Sequence, residues 1–324
     1  MSIRSAALIV AVLVAQAASA QQGPKVARVG YLTASHAMDN DTLALAFLRG
    51  MEDLGYVQGR NIVFEKRAAL GRLELLPGLA ADLVRANVDV IVAPPQVAAL
   101  AAVKATRTIP VVFIMVGDPV GAGLAASLSR PGGNATGVSN QSGDLAGKLI
   151  ELLTEAVPTA RRLAVLTRTD NPGHDRQWVH AVAAAARLKL AVQRIQIADY
   201  ESVDGALREV AKLRFDGLIL LSDAVFVSRR EHIARTVNAM RLPAIYGFAE
   251  FTDAGGLMSY GVNLQEQFRR AAHYVDRILK GANAGDLPIE QPPAFEFAIN
   301  IKTAASIGLP LPRELRLRAH RLVE

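Results

Sequence analysis

No cysteine occurs anywhere in the 324 residues, so disulfide bonds cannot stabilise this protein and its core must do so alone. Aromatic residues make up only 5% of the sequence. The net charge is +6, but the arginines come in scattered pairs among acidic residues rather than in a stripe with stacking aromatic rings. This pattern indicates solvated helix faces and disfavours a nucleic-acid partner. The scarcity of rings also argues mildly against a sugar ligand.

Motifs for catalysis and cofactor binding are missing as well. The sequence has no GxSxG elbow, no P-loop and no HExxH motif, and no two of its six histidines have the i, i+4 spacing that suits zinc. Residues 121–126 fit GxGxxA, but Asp118 and Pro119 occupy the tight turn, so we reject dinucleotide binding. We therefore predict no metal, no cofactor and no enzymatic activity.

Residues 1–20 have the three parts of a secretory signal peptide. Arg4 supplies the positive charge, residues 6–15 are apolar, and residues 18–20 (Ala-Ser-Ala) form a cleavage site before Gln21. The apolar run is shorter than the roughly 20 residues that span a bilayer. With no cysteine to carry a lipid anchor, we expect a soluble protein in a Gram-negative periplasm. Secretion into the medium is the alternative.

Removing residues 1–20 leaves 304 of the 324 residues, which at about 150 residues each suggests two domains. Apolar residues are 51% of the sequence, enough for a core without disulfides. Short β-branched runs alternate with helical patterns in both halves, and runs without polar alternation suit parallel strands buried on both faces. The predicted fold class is α/β, with two doubly wound parallel-sheet lobes.

The predicted strands of the first half are residues 26–32, 61–66, 88–93 and 110–116. Its predicted helices are residues 42–54, 75–85, 97–105 and 120–128. A dense turn signal at residues 130–134 separates the halves. The second half has predicted strands at residues 162–167, 190–197, 215–221, 243–246, 256–260 and 295–301. Its predicted helices are residues 143–156, 175–188, 202–213, 229–240 and 264–279, with another starting near Thr303.

Ligands of open parallel sheets bind beyond the carboxyl ends of the strands, at helix N-termini. Polar residues there are often ordinary turn and cap residues, but their presence after strands in both halves favours a binding cleft. The candidates in the first half are Thr33, Ser35, His36, Pro95, Gln96, Gly117 and Asp118. Those in the second half are Arg168, Asp170, Asn171, Ser222, Asp223, Tyr246 and Glu250. Asn140 and Ser142 lie between the halves.

Several short motifs follow one another along the chain. They are VGYL at 29–32, GMEDLGY at 50–56, LAADLV at 79–84, TIPVVF at 108–113, GDPV at 117–120, RPGGNATG at 130–137 and AGGLMSYG at 254–261. Together they resemble the ABC transporter substrate-binding protein family that includes the tryptophan/tyrosine-type binding proteins. The resemblance covers essentially the whole mature chain. It implies a type I periplasmic-binding-protein fold, whose two lobes close around a small ligand that is handed to a membrane permease.

The resemblance implies three crossovers between the lobes, with a hinge near Asn140, Val262 and Phe295. The N-terminal lobe would then comprise residues 21–140 and 262–294. The C-terminal lobe would comprise residues 141–261 and 295–324.

An amino-acid ligand would need groups for both of its charges. Hydroxyls and backbone N–H groups near Ser35, Gln96 and Ser142 would hold its carboxylate. Its ammonium group would face one of three carboxylates, those of Asp118, Asp223 and Glu250.

One loop departs from the family pattern. Residues 169–173 (Thr-Asp-Asn-Pro-Gly) stand where many relatives have an Asn-Pro-x-Asn-Pro-like loop. Arg168 is charged where an aromatic or small residue is common, which favours an anionic group over an aromatic amino acid at this point.

The predicted function is the periplasmic solute-binding component of an ABC importer, for an amino acid, aromatic compound or carboxylate. We expect a monomer whose transient partner is an inner-membrane permease. A ligand-sensing subunit for a membrane receptor and an exported enzyme on the same fold are the alternatives.

Overall fold

The structure is a computed structural model that describes residues 26–35, 38–140, 145–169, 171–199, 201–292 and 295–324. The predicted signal peptide and three of the candidate site residues, His36, Ser142 and Asp170, lie outside the described residues. Within these ranges, no helix is both long enough and apolar enough to cross a bilayer.

The first sheet has the strand order β2-β1-β3-β4-β5, and all of its neighbouring strands are parallel. Its strands are β1 Ala27–Thr33, β2 Ile62–Ala68, β3 Val90–Ala93, β4 Val111–Val116 and β5 Ala135–Ser139. The helices between them are α1 Thr42–Asp53, α2 Leu76–Arg85 and α3 Gln96–Ala105. Two short 3-10 helices, Met38–Asn40 and Leu73–Leu75, precede α1 and α2.

The second sheet has the strand order β12-β11-β10-β9-β8-β6-β7. Its strands are β6 Arg162–Arg168, β7 Ala191–Ile197, β8 Gly217–Leu220, β9 Ala244–Phe248, β10 Met258–Val262, β11 Glu296–Asn300 and β12 Arg321–Val323. Strand β11 is antiparallel to β10, and the other neighbouring strands are parallel. This two-sheet architecture agrees with the predicted fold class, and β11 and β12, which run opposite to the other five strands, are the exception to the parallel arrangement.

The first helix of the second half precedes its strands, and the others lie between them. They are α4 Leu145–Ala156, α5 Pro172–Arg187, α6 Val203–Leu213, α7 Ala224–Ser228, α8 Arg230–Ala239, α9 Glu250–Asp253, α10 Leu264–Leu279, α11 Ile301–Ile307 and α12 Arg313–Arg318. A 3-10 helix, Ala284–Asp286, follows α10.

The apolar strands are buried on both faces, as their composition predicts. In β3, Val90 and Val92 point into the core cluster that contains α1 and α10, whereas Ile91 and Ala93 point into the cluster that contains α2 and α3. Successive side chains of a strand point to opposite faces, so each face of the sheet needs its own layer of helices. Because helices cover both faces of the sheet, the carboxyl ends of its strands remain accessible.

The chain passes between the two sheets after β5, after β10 and before β11. Helix α10 follows a strand of the second sheet but packs against α1 of the first. Gly50 permits this close packing, because a Cβ atom at that position would lie 3.0 Å from the Cβ atom of Ala272. The Tyr56 hydroxyl also donates a 3.0 Å hydrogen bond to Asp276 on α10.

The helix predicted at residues 120–128 is wrong, because this segment forms consecutive turns. The Asp118 carboxylate accepts a 2.8 Å hydrogen bond from the N–H of Gly121, and the N–H of Leu124 donates to Pro119. Gly123 then has φ +73°, a left-handed conformation that interrupts any helix. The side-chain turn at Asp118 therefore outcompetes the helical pattern of the alanines and leucines.

Candidate functional site

A cleft of about 340 Å³ lies between the carboxyl ends of the strands in the two sheets. Nine of the residues predicted from the sequence line it, namely Pro95, Gln96, Gly117, Asp118, Asn140, Arg168, Asn171, Ser222 and Asp223. The sequence analysis missed an apolar part of the lining that includes Val97, Met115 and Phe248. Each sheet therefore contributes one wall of the cleft. The lining contains both polar groups and apolar surface, as is usual for a small-molecule site.

A second compartment of about 440 Å³ adjoins the first, since Pro95, Met115 and Ala224 line both. Two further predicted residues, Thr33 and Ser35, lie in its lining. The opposite side is formed by the N-terminal part of α8 and the residues before it, which carry several arginines.

An opposite-charge pair lies on the wall formed by the second sheet. The guanidinium of Arg168 is 3.7 Å from the carboxylate of Asp223, and both side chains are less than a tenth exposed. Arg168 is the last residue of β6, and Asp223 follows β8, so neighbouring parallel strands bring the two together. Asn171 donates a 2.8 Å hydrogen bond to one Asp223 oxygen, and the N–H of Val225 donates to the other at 2.9 Å.

Asp223 and Asn171 are also helix caps, which fixes their side chains. Asp223 is the N-cap of α7, and Asn171 is the N-cap of α5, where its side chain accepts from the N–H of Gly173. Cap residues satisfy backbone N–H groups that have no partner within the helix. The helix N-termini are therefore directed toward the cleft, and the polar side chains on this wall are held before any ligand arrives.

The sequence analysis counted His174 but did not place it near a site, and it lies directly behind the charged pair. Its Nδ1 accepts a 2.7 Å hydrogen bond from the N–H of Arg168, and its Nε2 lies 3.3 Å from the carbonyl oxygen of Ser222. The ring is fully buried, and burial lowers the pKa of His174 despite the Asp223 carboxylate 3.9 Å away. We know of no sequence signal for this role, because both hydrogen-bond partners are backbone groups.

Two contacts join the walls across the cleft. Arg176 on α5 donates to Asp118 at 3.1 Å, and Arg230 on α8 lies 3.3 Å from the hydroxyl of Thr42 on α1. The Arg176 and Asp118 side chains are about half exposed, so solvent screens their interaction.

Tyr246 and Glu250 are not among the described residues that line either compartment. Tyr246 is fully buried and stacks on Phe251 with 4.3 Å between the ring centroids. Glu250 is buried behind the wall, and its carboxylate accepts a 3.0 Å hydrogen bond from the N–H of Leu264, the first residue of α10. Burial raises the pKa of Glu250 to about 7. Its carboxyl group thus contacts the second crossover rather than the cleft.

Asn140 lines the cleft at the first crossover, where its N–H donates to the carbonyl oxygen of Val116 at 2.9 Å. Its side-chain oxygen is buried and has no hydrogen-bond partner within the described part of the chain. A buried polar atom without a partner costs free energy, so it suits a site where a ligand donates the missing bond. Within the described residues there is no group of three or more His, Asp or Glu side chains that could hold a metal.

The family model described as "ABC transporter substrate binding protein" matches residues 35–323, nearly the whole chain. The chain belongs to this family. The family consists of substrate-binding proteins rather than enzymes, which agrees with the sequence-based expectation. The protein is also similar to a tyrosine-binding protein of Clostridioides difficile, with 26% identity over 269 residues that span 83% of this chain and 77% of the relative.

Two solved structures share the fold. A conserved domain protein from Vibrio cholerae has a TM-score of 0.83 and 26% identity, covering 92% of this chain and 100% of its own. A Streptococcus pneumoniae ABC domain in complex with L-Trp has a TM-score of 0.81 and 22% identity, covering 92% and 99%. These similarities confirm the predicted type I periplasmic-binding-protein fold with two lobes.

Proposed function

We propose that this protein is the periplasmic solute-binding component of an ABC importer and that it holds an amino acid between its two lobes. The observation that carries the proposal is the buried Arg168–Asp223 pair, 3.7 Å apart, on one wall of a cleft whose other wall comes from the other sheet. A ligand with both a carboxylate and an ammonium group matches this pair of charges.

We expect the ligand to replace the Arg168–Asp223 ion pair with two new pairs, one at each of these residues. The ligand carboxylate binds the Arg168 guanidinium, whose flat set of donors suits a carboxylate. The ligand ammonium binds the Asp223 carboxylate, while Asn171 and the N–H of Val225 keep their hydrogen bonds to it. Each buried charge keeps an opposite charge beside it, so a zwitterion avoids the cost of leaving an ion unpaired. A ligand with a single charge would leave either Arg168 or Asp223 without an opposite charge from the ligand.

The side chain of the ligand contacts the apolar lining formed by Val97, Met115 and Phe248. Phe248 offers an aromatic ring and Met115 an adaptable thioether, so both accept a flat apolar side chain. Two relatives, one named a tyrosine-binding protein and the other solved with L-Trp, support an aromatic amino acid. This changes the expectation from the sequence, in which Arg168 stood alone for an anion, because Arg168 is paired with Asp223.

Delivery to the permease depends on closure of the lobes. We assign residues 21–140 and 262–294 to one lobe, and residues 141–261 and 295–324 to the other. The crossovers near Asn140, Val262 and Phe295 act as the hinge, where a few backbone dihedrals absorb the rotation. The ligand favours the closed state because Gln96 and Asn140 reach it from one side and Arg168 and Asp223 from the other.

The export part of the proposal rests on the sequence of residues 1–20. The mature protein begins at Gln21, occupies the periplasm as a monomer, and meets an inner-membrane permease transiently. The mass of the protein recovered from a periplasmic extract tests cleavage after Ala20, and a chain that retains residues 1–20 contradicts it.

Thermal shift with a panel of amino acids and small carboxylates tests the ligand class, since a ligand that binds the folded state raises the melting temperature. We expect L-tyrosine or L-tryptophan to give the largest shift.

The variant Asp223→Asn keeps the cap of α7 but removes the charge, and should weaken binding by about 2–5 kcal/mol. Glu209→Gln, an exposed carboxylate on α6, is the matched control. Equal affinities of the two variants would contradict the proposal.

A further inference from the structure

His174 joins two parts of the charged wall that are far apart in sequence. It lies in the first turn of α5, six residues after Arg168 and 48 residues before Ser222, and its ring bonds to the backbone of both. One bond is at the last residue of β6, and the other is just beyond the end of β8. The ring therefore links the end of β6 to the segment after β8, beyond the last paired residues of the two strands.

The hydrogen bonds determine which ring nitrogen carries the proton. Nδ1 accepts from the N–H of Arg168 at 2.7 Å, so it cannot itself be protonated. The proton of the neutral ring is then on Nε2, which donates to the carbonyl oxygen of Ser222. Both nitrogens are used, and the ring is fully buried, so His174 does not touch a ligand. If His174 served only to fill space, as in its stacking on Phe226, neither ring nitrogen would have to form a hydrogen bond.

We propose that neutral His174 is the positioning residue of the ligand cleft, holding Arg168 and Asp223 at the spacing that a zwitterion requires. This inference rests on the proposed function for its consequence, namely affinity for an amino acid. Its geometric part, the coupling of Arg168 and Asp223 through one imidazole, stands on the hydrogen bonds alone.

Acid should disrupt this arrangement. A proton on Nδ1 would face the N–H of Arg168, so two donors would oppose each other. The charged groups around the ring are Asp223 before α7, Arg168 on β6 and Arg194 on β7. Burial and the two arginines oppose protonation, Asp223 favours it, and the pKa is lowered from 6.5 with burial as the largest cause. The neutral ring is thus stable at pH 7, and the wall is predicted to loosen on acidification below pH 6.5.

Two variants separate positioning from packing. His174→Phe keeps a ring of similar size but loses both hydrogen bonds. His174→Asn places a carbonyl oxygen near the position of Nδ1, where it can accept from Arg168, and it does not titrate. His180→Asn, at an exposed position on the same helix, is the control.

The binding experiment is calorimetry with L-tryptophan and L-tyrosine at about pH 7.5 and at a lower pH at which NMR shows the His174 ring to be protonated. We expect His174→Phe, which loses both hydrogen bonds, to weaken binding by roughly tenfold at the higher pH, and His174→Asn, which loses only the bond to Ser222, to weaken it by less. Wild-type affinity should fall at the lower pH, and that of His174→Asn should not. Glu250 has a pKa raised to about 7, but it contacts Leu264 rather than the cleft, so we expect its titration to affect all variants equally. Unchanged affinity in His174→Phe, or equal pH dependence in wild type and His174→Asn, would overturn the proposal.

A second measurement is independent of any ligand. In an NMR titration of the wild type, the amide of Arg168 and the carboxyl carbon of Asp223 should shift together with the ring of His174. If they do not follow the ring, the positioning role is wrong. If the wild type binds neither amino acid, the proposed function fails, and the NMR titration alone decides the role of His174.

Discussion

The two walls of the cleft differ in how they present polar groups. The wall from the second sheet holds a buried, connected set of charges and hydrogen bonds that includes Arg168, Asn171 and Asp223. The wall from the first sheet contributes the start of α3 at Gln96, the backbone near Gly117 and the half-exposed Asp118. A preassembled wall can select the charges of a ligand, whereas a less charged wall can close over it. On the proposed function, we therefore expect the second wall to supply most of the recognition of the ligand's charges.

The largest expected effect comes from breaking the charged wall. Arg168→Met should weaken binding of an amino acid and also destabilise the fold, because the buried Asp223 loses its nearest opposite charge. Removing one partner of a buried pair costs about 3–5 kcal/mol. Calorimetry and chemical unfolding measure the two effects, with the exposed Arg187→Met on α5 as the control. A loss no larger than in the control would show that the charges of this wall do not drive recognition.

The next prediction tests whether Glu250 belongs to the crossover rather than to the charged wall. Its pKa is raised from 4.5 to about 7 by burial, so its contribution to stability is complete below pH 4.5 and is lost as the pH rises through 7. That shift corresponds to about 3 kcal/mol. Glu250→Gln should therefore be more stable than the wild type at pH 8 by up to that amount, as measured by urea unfolding across pH.

The same variant should bind the amino acid with unchanged affinity, since Glu250 contacts Leu264 at the start of α10. A large loss of affinity at every pH would instead make Glu250 part of the ligand site, as the sequence first suggested.

A smaller effect is expected from the first wall. Gln96→Ala removes one polar side chain that faces the cleft, and should weaken binding by about 1 kcal/mol, the usual net value of a neutral hydrogen bond. Calorimetry on Gln96→Ala and Arg168→Met under identical conditions compares the walls directly. A loss in Gln96→Ala that equals the loss in Arg168→Met would contradict the expectation that the second wall supplies most of the binding free energy.

The smallest effect concerns the contact across the cleft between Arg176 and Asp118, 3.1 Å apart and about half exposed. Asp118→Asn should change affinity by less than about 1 kcal/mol, and the change should shrink in high salt. Titrations at low and high salt measure it. An effect that survives high salt would mean that Asp118 contacts the ligand.

Local patterns predicted most of the fold, but side-chain turns and long-range contacts escaped them. The helix predicted at residues 264–279 has the bounds found in the structure, because Asn263 caps it and its apolar face is strongly periodic. Strand β5 went unpredicted, since Ala135–Ser139 contains Thr, Gly and Ser rather than a β-branched apolar run. Helix α7 was also missed, because it is only five residues long.

The candidate site was predictable as far as strand ends determine it. Residues within three positions after β4, β6 and β8, such as Gly117, Asn171 and Asp223, do line the cleft. The direction of a side chain was not predictable from the sequence. The Glu250 side chain, for example, points to the start of α10 rather than into the cleft. The ligand roles of all these residues, including His36, Ser142 and Asp170, remain predictions.

In the proposed binding mode, one wall binds both charged groups of an amino acid, and a single calorimetric comparison tests this most directly. L-tryptophan, tryptamine and indole-3-propionate carry the same ring but present both charges, only the ammonium, or only the carboxylate. We expect measurable binding for L-tryptophan and at least about a hundredfold weaker binding for the other two, because a buried charge then loses its partner. Binding of either singly charged compound as tightly as L-tryptophan would contradict it.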